Sequence, residues 1–130
     1  MAGYSAANLD DIVAEKWPYW APIRYHFDIR SFGASAWRGG PGDDVIKKHN
    51  EGPGGHEELY IVLSGHATFT VDGDEIDAPT GMCVHIPDPT LEREAVATEA
   101  GTVVLSLGAW PDKAFEPSEW ELASFAPEAD

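Results

Sequence analysis

Cysteine is almost missing from this chain: Cys83 stands alone among 130 residues. No intrachain disulfide can form, so the fold rests on its own core, and a reducing cytoplasm is the expected compartment. Basic residues are scarce too, eight Lys and Arg against 23 Asp and Glu, giving a formal net charge of −15. That field repels phosphate backbones and anionic lipid, which argues against nucleic-acid and membrane-surface partners. Long apolar runs are lacking, and the N-terminus shows no basic segment followed by an apolar one, so neither a membrane span nor a secretory signal is expected. The Gly52-Pro53-Gly54-Gly55 run has no helix pattern behind it and fails as a phosphate cradle. Neither a Ser-centred elbow nor a dinucleotide fingerprint occurs.

What is plentiful points to strands. Ten Pro and 13 Gly fall largely at turn positions, favouring many short strands over long helices within one domain. Residues 1–8 read as a small, polar lead. Asn8 is a cap for a short helix over 9–16, with Asp10 and Asp11 in its first turn. Trp17-Pro18-Tyr19-Trp20-Ala21-Pro22 ends that helix as an aromatic cluster, which either caps one end of the fold or packs against a second subunit. Alternating patterns predict strands at 23–29, 32–37, 45–50, 59–63, 66–71, 75–78, 83–86, 93–97 and 102–107. Ser118 followed by Glu121 is a capping-box pattern for a helix over 118–124, and Trp110 and Trp120 are expected to cover the exterior. The class is all-β, a double-sheet jelly roll or small barrel.

One stretch carries the chemistry. His56-Glu57-Glu58-Leu59-Tyr60-Ile61-Val62-Leu63-Ser64-Gly65 runs into His66-Ala67-Thr68-Phe69-Thr70-Val71-Asp72-Gly73. This reads as two strands joined by a Ser-Gly turn, with a second turn at Asp72-Gly73. Glu58 shares its strand face with Tyr60 and Val62, so a carboxylate is carried toward the interior. Burying it is costly unless a metal, a hydrogen bond or a proton compensates. Downstream stand Ala78-Pro79-Thr80-Gly81 and Met82-Cys83-Val84-His85-Ile86-Pro87.

Glu58, six residues, Gly65, then Asp72-Gly73, Pro79-x-Gly81 and Ile86-Pro87 together resemble the cupin superfamily over residues 23–108. The resemblance implies a single-domain, RmlC-like β-barrel or jelly roll with short N- and C-terminal helices. An N-terminal helix and aromatic segment (1–22) and a tail with a short helix (109–130) would flank it. It also implies a central metal held by two His, one residue apart, three or four residues before the motif carboxylate. A third His would stand five residues after the Ile-Pro proline. Here the first pair of positions falls on Gly52 and Gly54, or on Glu51 and Pro53, and the third on Glu92, so the metal motif is degenerate. It can be rebuilt in two ways. If the Gly-rich loop is an insertion, His49 and Glu51 take the place of the His pair; alternatively His56, on the same face as Glu58, reaches the centre. One or two imidazoles with two or three carboxylates suit Mn(II), Fe(II) or Ca(II).

Each of these residues also has a plainer reading. His49, beside Lys47 and Lys48, fits a solvated strand, and Glu92 fits a surface ion pair with Arg93. His66 reads as exposed. His85 shares a face with Cys83 and either lines the cavity or is a satisfied core or interface histidine. Arg24 and Arg30 bind an anion only if they face inward. Without a metal, Glu58 and Glu92 cannot both stay charged in a dry cavity; one takes a proton, and the pair becomes an acid and a base, with Tyr60 adding a donor.

The favoured reading is a cupin-like protein binding a small polar molecule in a pocket of His56, Glu58, Tyr60, His85 and Glu92, with an atypical or absent metal site. Two others stay open: a Mn- or Fe-dependent dioxygenase-type enzyme using His49, His56, Glu58 and Glu92, and a metal-free acid/base isomerase using Glu58 and Glu92. Open sheet edges and the aromatic N-terminal segment point to a homodimer.

Overall fold

The computed structural model describes residues 3–12 and 14–125; expectations falling on residues 1–2, Val13 and 126–130 lie outside them. The described chain forms β1 (Trp20–Ala21), α1 (Ile23–Phe27), β2 (Gly33–Gly39), β3 (Asp44–His49), β4 (Glu57–Ser64), β5 (His66–Val71), β6 (Asp74–Pro79), β7 (Cys83–Ile86), β8 (Arg93–Ala97), β9 (Thr102–Ala109) and α2 (Glu119–Ser124). Two antiparallel sheets result, one ordered β1-β2-β9-β4-β7 and the other β3-β8-β5-β6. This is a double-sheet jelly roll, and no described helix is long and apolar enough to cross a membrane.

Turn chemistry fixes the central hairpins. Gly65 joins β4 to β5 at φ 77, and a Cβ there would stand 2.3 Å from Thr102 Oγ1 and 2.6 Å from Thr102 Cα. Only glycine meets both demands, which gives the motif glycine its reason. Asp72 and Gly73, both at positive φ, close the β5–β6 hairpin with Val71 paired to Asp74, the two-residue turn that matches strand twist.

The core lies between the sheets. Tyr60 and Val62 of β4, Ile86 of β7 and Val104 of β9 meet Val45, Ile46 and Phe69 from the opposite sheet. Ala67, Ala78, Ala95 and Ala97 are at most 1% exposed, and their small side chains let the second sheet close on the first. A smaller cluster of Ile12, Ala21 and Ala36, with Leu9, Ile23 and Phe27 against it, seats the N-terminal segment on β2.

Two predicted elements change. The helix expected over 9–16 is a single 3-10 turn, Leu9–Asp11, capped by the Asn8 side chain accepting from the Asp10 N–H. The Ala14 N–H then donates to the Trp20 carbonyl, so tertiary pairing takes the backbone that a longer helix would need. The strand expected over 23–29 is instead the short helix α1. Its alternation of Ile23, Tyr25, Phe27 and Ile29 misleads because Ile23 and Phe27 also stand four apart, on one helical face. Those two pack on the smaller cluster while Tyr25 is exposed, and Asp28, at φ 54 in the left-handed region, ends the turn. Buried Arg24 is turned inward by that helix.

Ser118 caps α2 by accepting from the Glu121 N–H at 3.4 Å. The Glu121 carboxylate does not return to the cap: Oε2 accepts from Arg24 Nε at 2.9 Å, with both side chains under 10% exposed. The C-terminal helix is thereby tied to α1.

Candidate functional site

A cavity of about 600 Å³ opens between the β2-β9-β4 face and β3, roofed by the N-terminal aromatic segment and α2. Its polar end is built by three strands. On β4 the two-residue alternation carries Glu58 inward beside buried Tyr60, whose hydroxyl donates to Glu58 Oε1 at 3.0 Å. On β3, register shifts fall between Asp44 and Ile46 and again between Ile46 and His49. Such bulges re-aim side chains, and here they set His49 opposite Arg93 of β8. The Glu51 N–H donates to the Pro89 carbonyl at 2.8 Å, and the glycine loop 52–55 lies beyond it.

His49, Glu51 and Glu58 consequently meet, each offering an atom within 4.8 Å of the others. Of the two rebuilt arrangements, the one with His49 and Glu51 names the residues that meet here. His49 Nε2 stands 3.0 Å from Glu51 Oε1 and 3.9 Å from Glu58 Oε1. Its Nδ1 donates to the Lys47 carbonyl at 2.6 Å, which turns Nε2 toward the carboxylates.

Three sequence candidates find other places. His56 lines the cavity but is boxed by rings, 4.2 Å from Trp110 edge-on and 5.4 Å from Phe115, and it makes no group with the carboxylates. His85 is outside this cavity and exposed, paired with Glu57, because its β7 face is the outer one: Val84 and Ile86 point in. Glu92 is also outside, about half exposed and 3.4 Å from Lys48 Nζ. The parity of β8 explains this, since Arg93, Ala95 and Ala97 are buried while Glu92 faces out. The expected Glu58–Glu92 pair is therefore replaced by Glu58–Glu51, and the expected Glu92–Arg93 surface pair does not form.

Arg93 is the residue the sequence reading missed. Its side chain is 0% exposed, and NH1 donates to Glu58 Oε1 at 2.8 Å. Nε and NH2 donate to the Leu91 and Asp88 carbonyls at 2.9 and 3.4 Å. The signal was present: Arg93 has the same parity as two alanines of an interior strand.

Burial and the adjacent Glu51 carboxylate push Glu58 up to about 8, while Tyr60 and Arg93 pull weakly the other way. The His49 hydrogen bond holds Glu51 down at about 2 and, reciprocally, raises His49 above its ordinary 6.5. Burial keeps the Tyr60 phenol neutral by raising it and lowers His56. Two adjacent carboxyls are thus driven apart, one ionised and one holding a proton.

Whether these donors fit a resident divalent ion turns on Arg93. The oxygen–nitrogen set suits a hard ion, but Glu58 Oε1 already accepts from Arg93 and Tyr60, and Glu51 Oε1 from His49. A dication would stand beside a buried guanidinium with no route to water. As it stands, the set does not fit a resident metal.

A jelly roll with an inward glutamate on β4 defines a class of fold, and sequence comparison gives the family. Residues 38–106 match the cupin domain family, and the chain belongs to it. No curated protein matches significantly. Among solved structures, a cupin protein from Bacteroides fragilis superposes with TM-score 0.67 at 16% identity, over 99% of each chain. KdgF from Halomonas sp. gives 0.55 at 19% identity, over 65% of this chain and 72% of that one. A sugar phosphate isomerase of the cupin superfamily from Silicibacter pomeroyi gives 0.57 at 18%, over 72% of this chain and 65% of that one. At such identities the likeness is one of fold.

Proposed function

We propose that this protein binds a small polar organic molecule carrying hydroxyl or carbonyl groups in the cavity. Its polar end would meet Glu51, Glu58 and His49, and its carbon face the aromatic wall. The carrying observation is the combination of a roughly 600 Å³ cavity, within the range of small-molecule sites, with a polar cluster at one end and Trp20, Trp37 and Trp120 along the rest. Trp20 Nε1 and Trp37 Nε1 donate to Ser35 Oγ and Ser106 Oγ, which fixes both rings before a ligand arrives. Preset rings and paired carboxyls lower the ordering cost of binding. That one structural neighbour is named a sugar phosphate isomerase is consistent with a hydroxylated ligand.

A second reading, proton transfer on the bound molecule, is favoured by the split carboxyl pair. A protonated Glu58 would give a proton to a ligand oxygen while ionised Glu51 accepts one, the pattern of an acid and a base set by environment. Glu51 replaces Glu92 in this role.

Titration with sugars, sugar phosphates and hydroxy acids, followed by tryptophan fluorescence, tests the binding reading. Saturable quenching by a hydroxylated compound, lost in Glu51→Gln and in Trp37→Ala, is the expected result. Saturable binding indifferent to both substitutions would place the ligand elsewhere and overturn it. Isotope exchange from heavy water into the bound compound, abolished by Glu58→Gln while binding persists, would establish the proton-transfer reading; binding without exchange would remove it.

A further inference from the structure

We propose that Arg93 is the resident cation of this site: its guanidinium takes the electrostatic place of a metal ion and keeps divalent ions off His49, Glu51 and Glu58. The backbone register puts it there, since β3 and β8 pair His49 with Arg93 and β8 turns Arg93 inward with Ala95 and Ala97. The position is also locked. Nε, NH1 and NH2 are held by the Leu91 carbonyl, the Glu58 carboxyl and the Asp88 carbonyl, and the side chain is 0% exposed. A surface arginine could swing into water when a metal arrived; this one cannot.

Charge counting points the same way. Glu51 and Glu58 supply at most two negative charges, Arg93 Nη1 already stands 2.8 Å from Glu58 Oε1, and His49 Nε2 stands 3.0 Å from Glu51 Oε1. A dication would add two positive charges to carboxyls that already have these partners. It would also draw Glu58 away from the guanidinium, leaving a buried cation without its partner. No buried side-chain nitrogen or oxygen among the described residues lacks a hydrogen-bond partner, so buried Arg93 needs no ion beside it to complete its contacts. Arg93 is wholly buried and makes its contact through Glu58, which makes it a positioning residue for the carboxyl pair.

This inference stands whichever organic molecule the cavity takes: an empty ligand screen leaves it intact, and metal uptake overturns it without touching the ligand reading. The experiment is a Mn(II) titration of the chelator-treated full chain, reading free ion by electron paramagnetic resonance. The unsubstituted chain and Arg93→Lys, which keeps the charge, are expected to leave Mn(II) free. Arg93→His, which exchanges the cation for a fourth donor, should take up one ion per chain, with affinity at least about tenfold above that of Arg93→Lys, and lose it on adding His49→Ala. Arg93→Gln should show weaker uptake at the same place. Stoichiometric uptake by the unsubstituted chain, abolished by His49→Ala, overturns the proposal. So does a folded Arg93→His and a folded Arg93→Gln that both leave Mn(II) free. Where neither variant folds, the unsubstituted chain decides alone, free Mn(II) supporting the proposal and stoichiometric uptake overturning it.

Discussion

Two arginine–glutamate pairs are buried among the described residues, and their surroundings make them opposites. Arg24–Glu121 joins two short helices at the edge of the fold, and Arg93–Glu58 sits between the sheets. Glu121 rides on the six-residue α2, whose Trp120 and Leu122 are about half exposed. Lifting that short helix would return both charges to water. Glu58 cannot leave with its backbone, because β4 is paired on both sides, to β7 and to β9. β8, which carries Arg93, is likewise paired to β3 and β5. Equal chemistry therefore carries unequal consequences: the cost of breaking a buried pair depends on whether the orphan can reach solvent.

Removing Arg93 should show the contrast most strongly. Above pH 8, where Glu58 is ionised, Arg93→Met is expected to lose about 3–5 kcal/mol of global stability, the range for stranding a buried charge, read as a lowered urea midpoint. Arg24→Met should cost less, about 1–2 kcal/mol, and act locally. Hydrogen exchange would rise at residues 118–125 and stay unchanged in β4 and β9. Equal global losses for the two variants would erase the distinction.

The pH dependence sharpens the comparison at the inner site. Glu58 holds its proton to about 8 when folded, against an ordinary 4.5, so the folded chain binds more protons across that interval and stability falls as pH rises through it. His49, raised above 6.5, adds stability that is complete below 6.5 and lost as pH rises past its folded value. Glu51, lowered to about 2, acts oppositely: its contribution is present above 4.5 and disappears as pH falls toward 2. Thermal melts should thus peak near about pH 5 and decline toward 8. Glu58→Gln should flatten the upper limb, and Arg24→Met should leave its shape unchanged.

The smallest effect is expected at the α2 cap. Ser118→Ala should cost about 0.5–1 kcal/mol, confined to α2 and visible as a change in Trp120 fluorescence. A global loss would mean that α2 is part of the core.

The family fold was readable because its devices are local. Gly65, Asp72-Gly73 and alternation within each strand reveal turns and faces without knowledge of neighbours, and the predicted strands at 83–86 and 93–97 have the observed bounds. The segment 23–29 failed because its apolar spacing satisfies both a strand and one helical turn, and contact with Ala21, Ala36 and Ile12 selects the helix. At the site, the inward course of Glu58 was legible from β4 alone, and the approach of His49 and Glu51 was one of two open arrangements. Glu92 was misplaced by one residue, which on a strand is the difference between inside and outside.

The sequence by itself determined where the chain turns, which strand faces are apolar and that a carboxylate enters the interior, since all three follow from the geometry of consecutive residues. What that carboxylate meets was decided only in three dimensions. The bulged register of β3 against β8 brings His49 and Arg93 to Glu58 from positions far apart in the chain, and no local pattern encodes which strand will lie across a hollow.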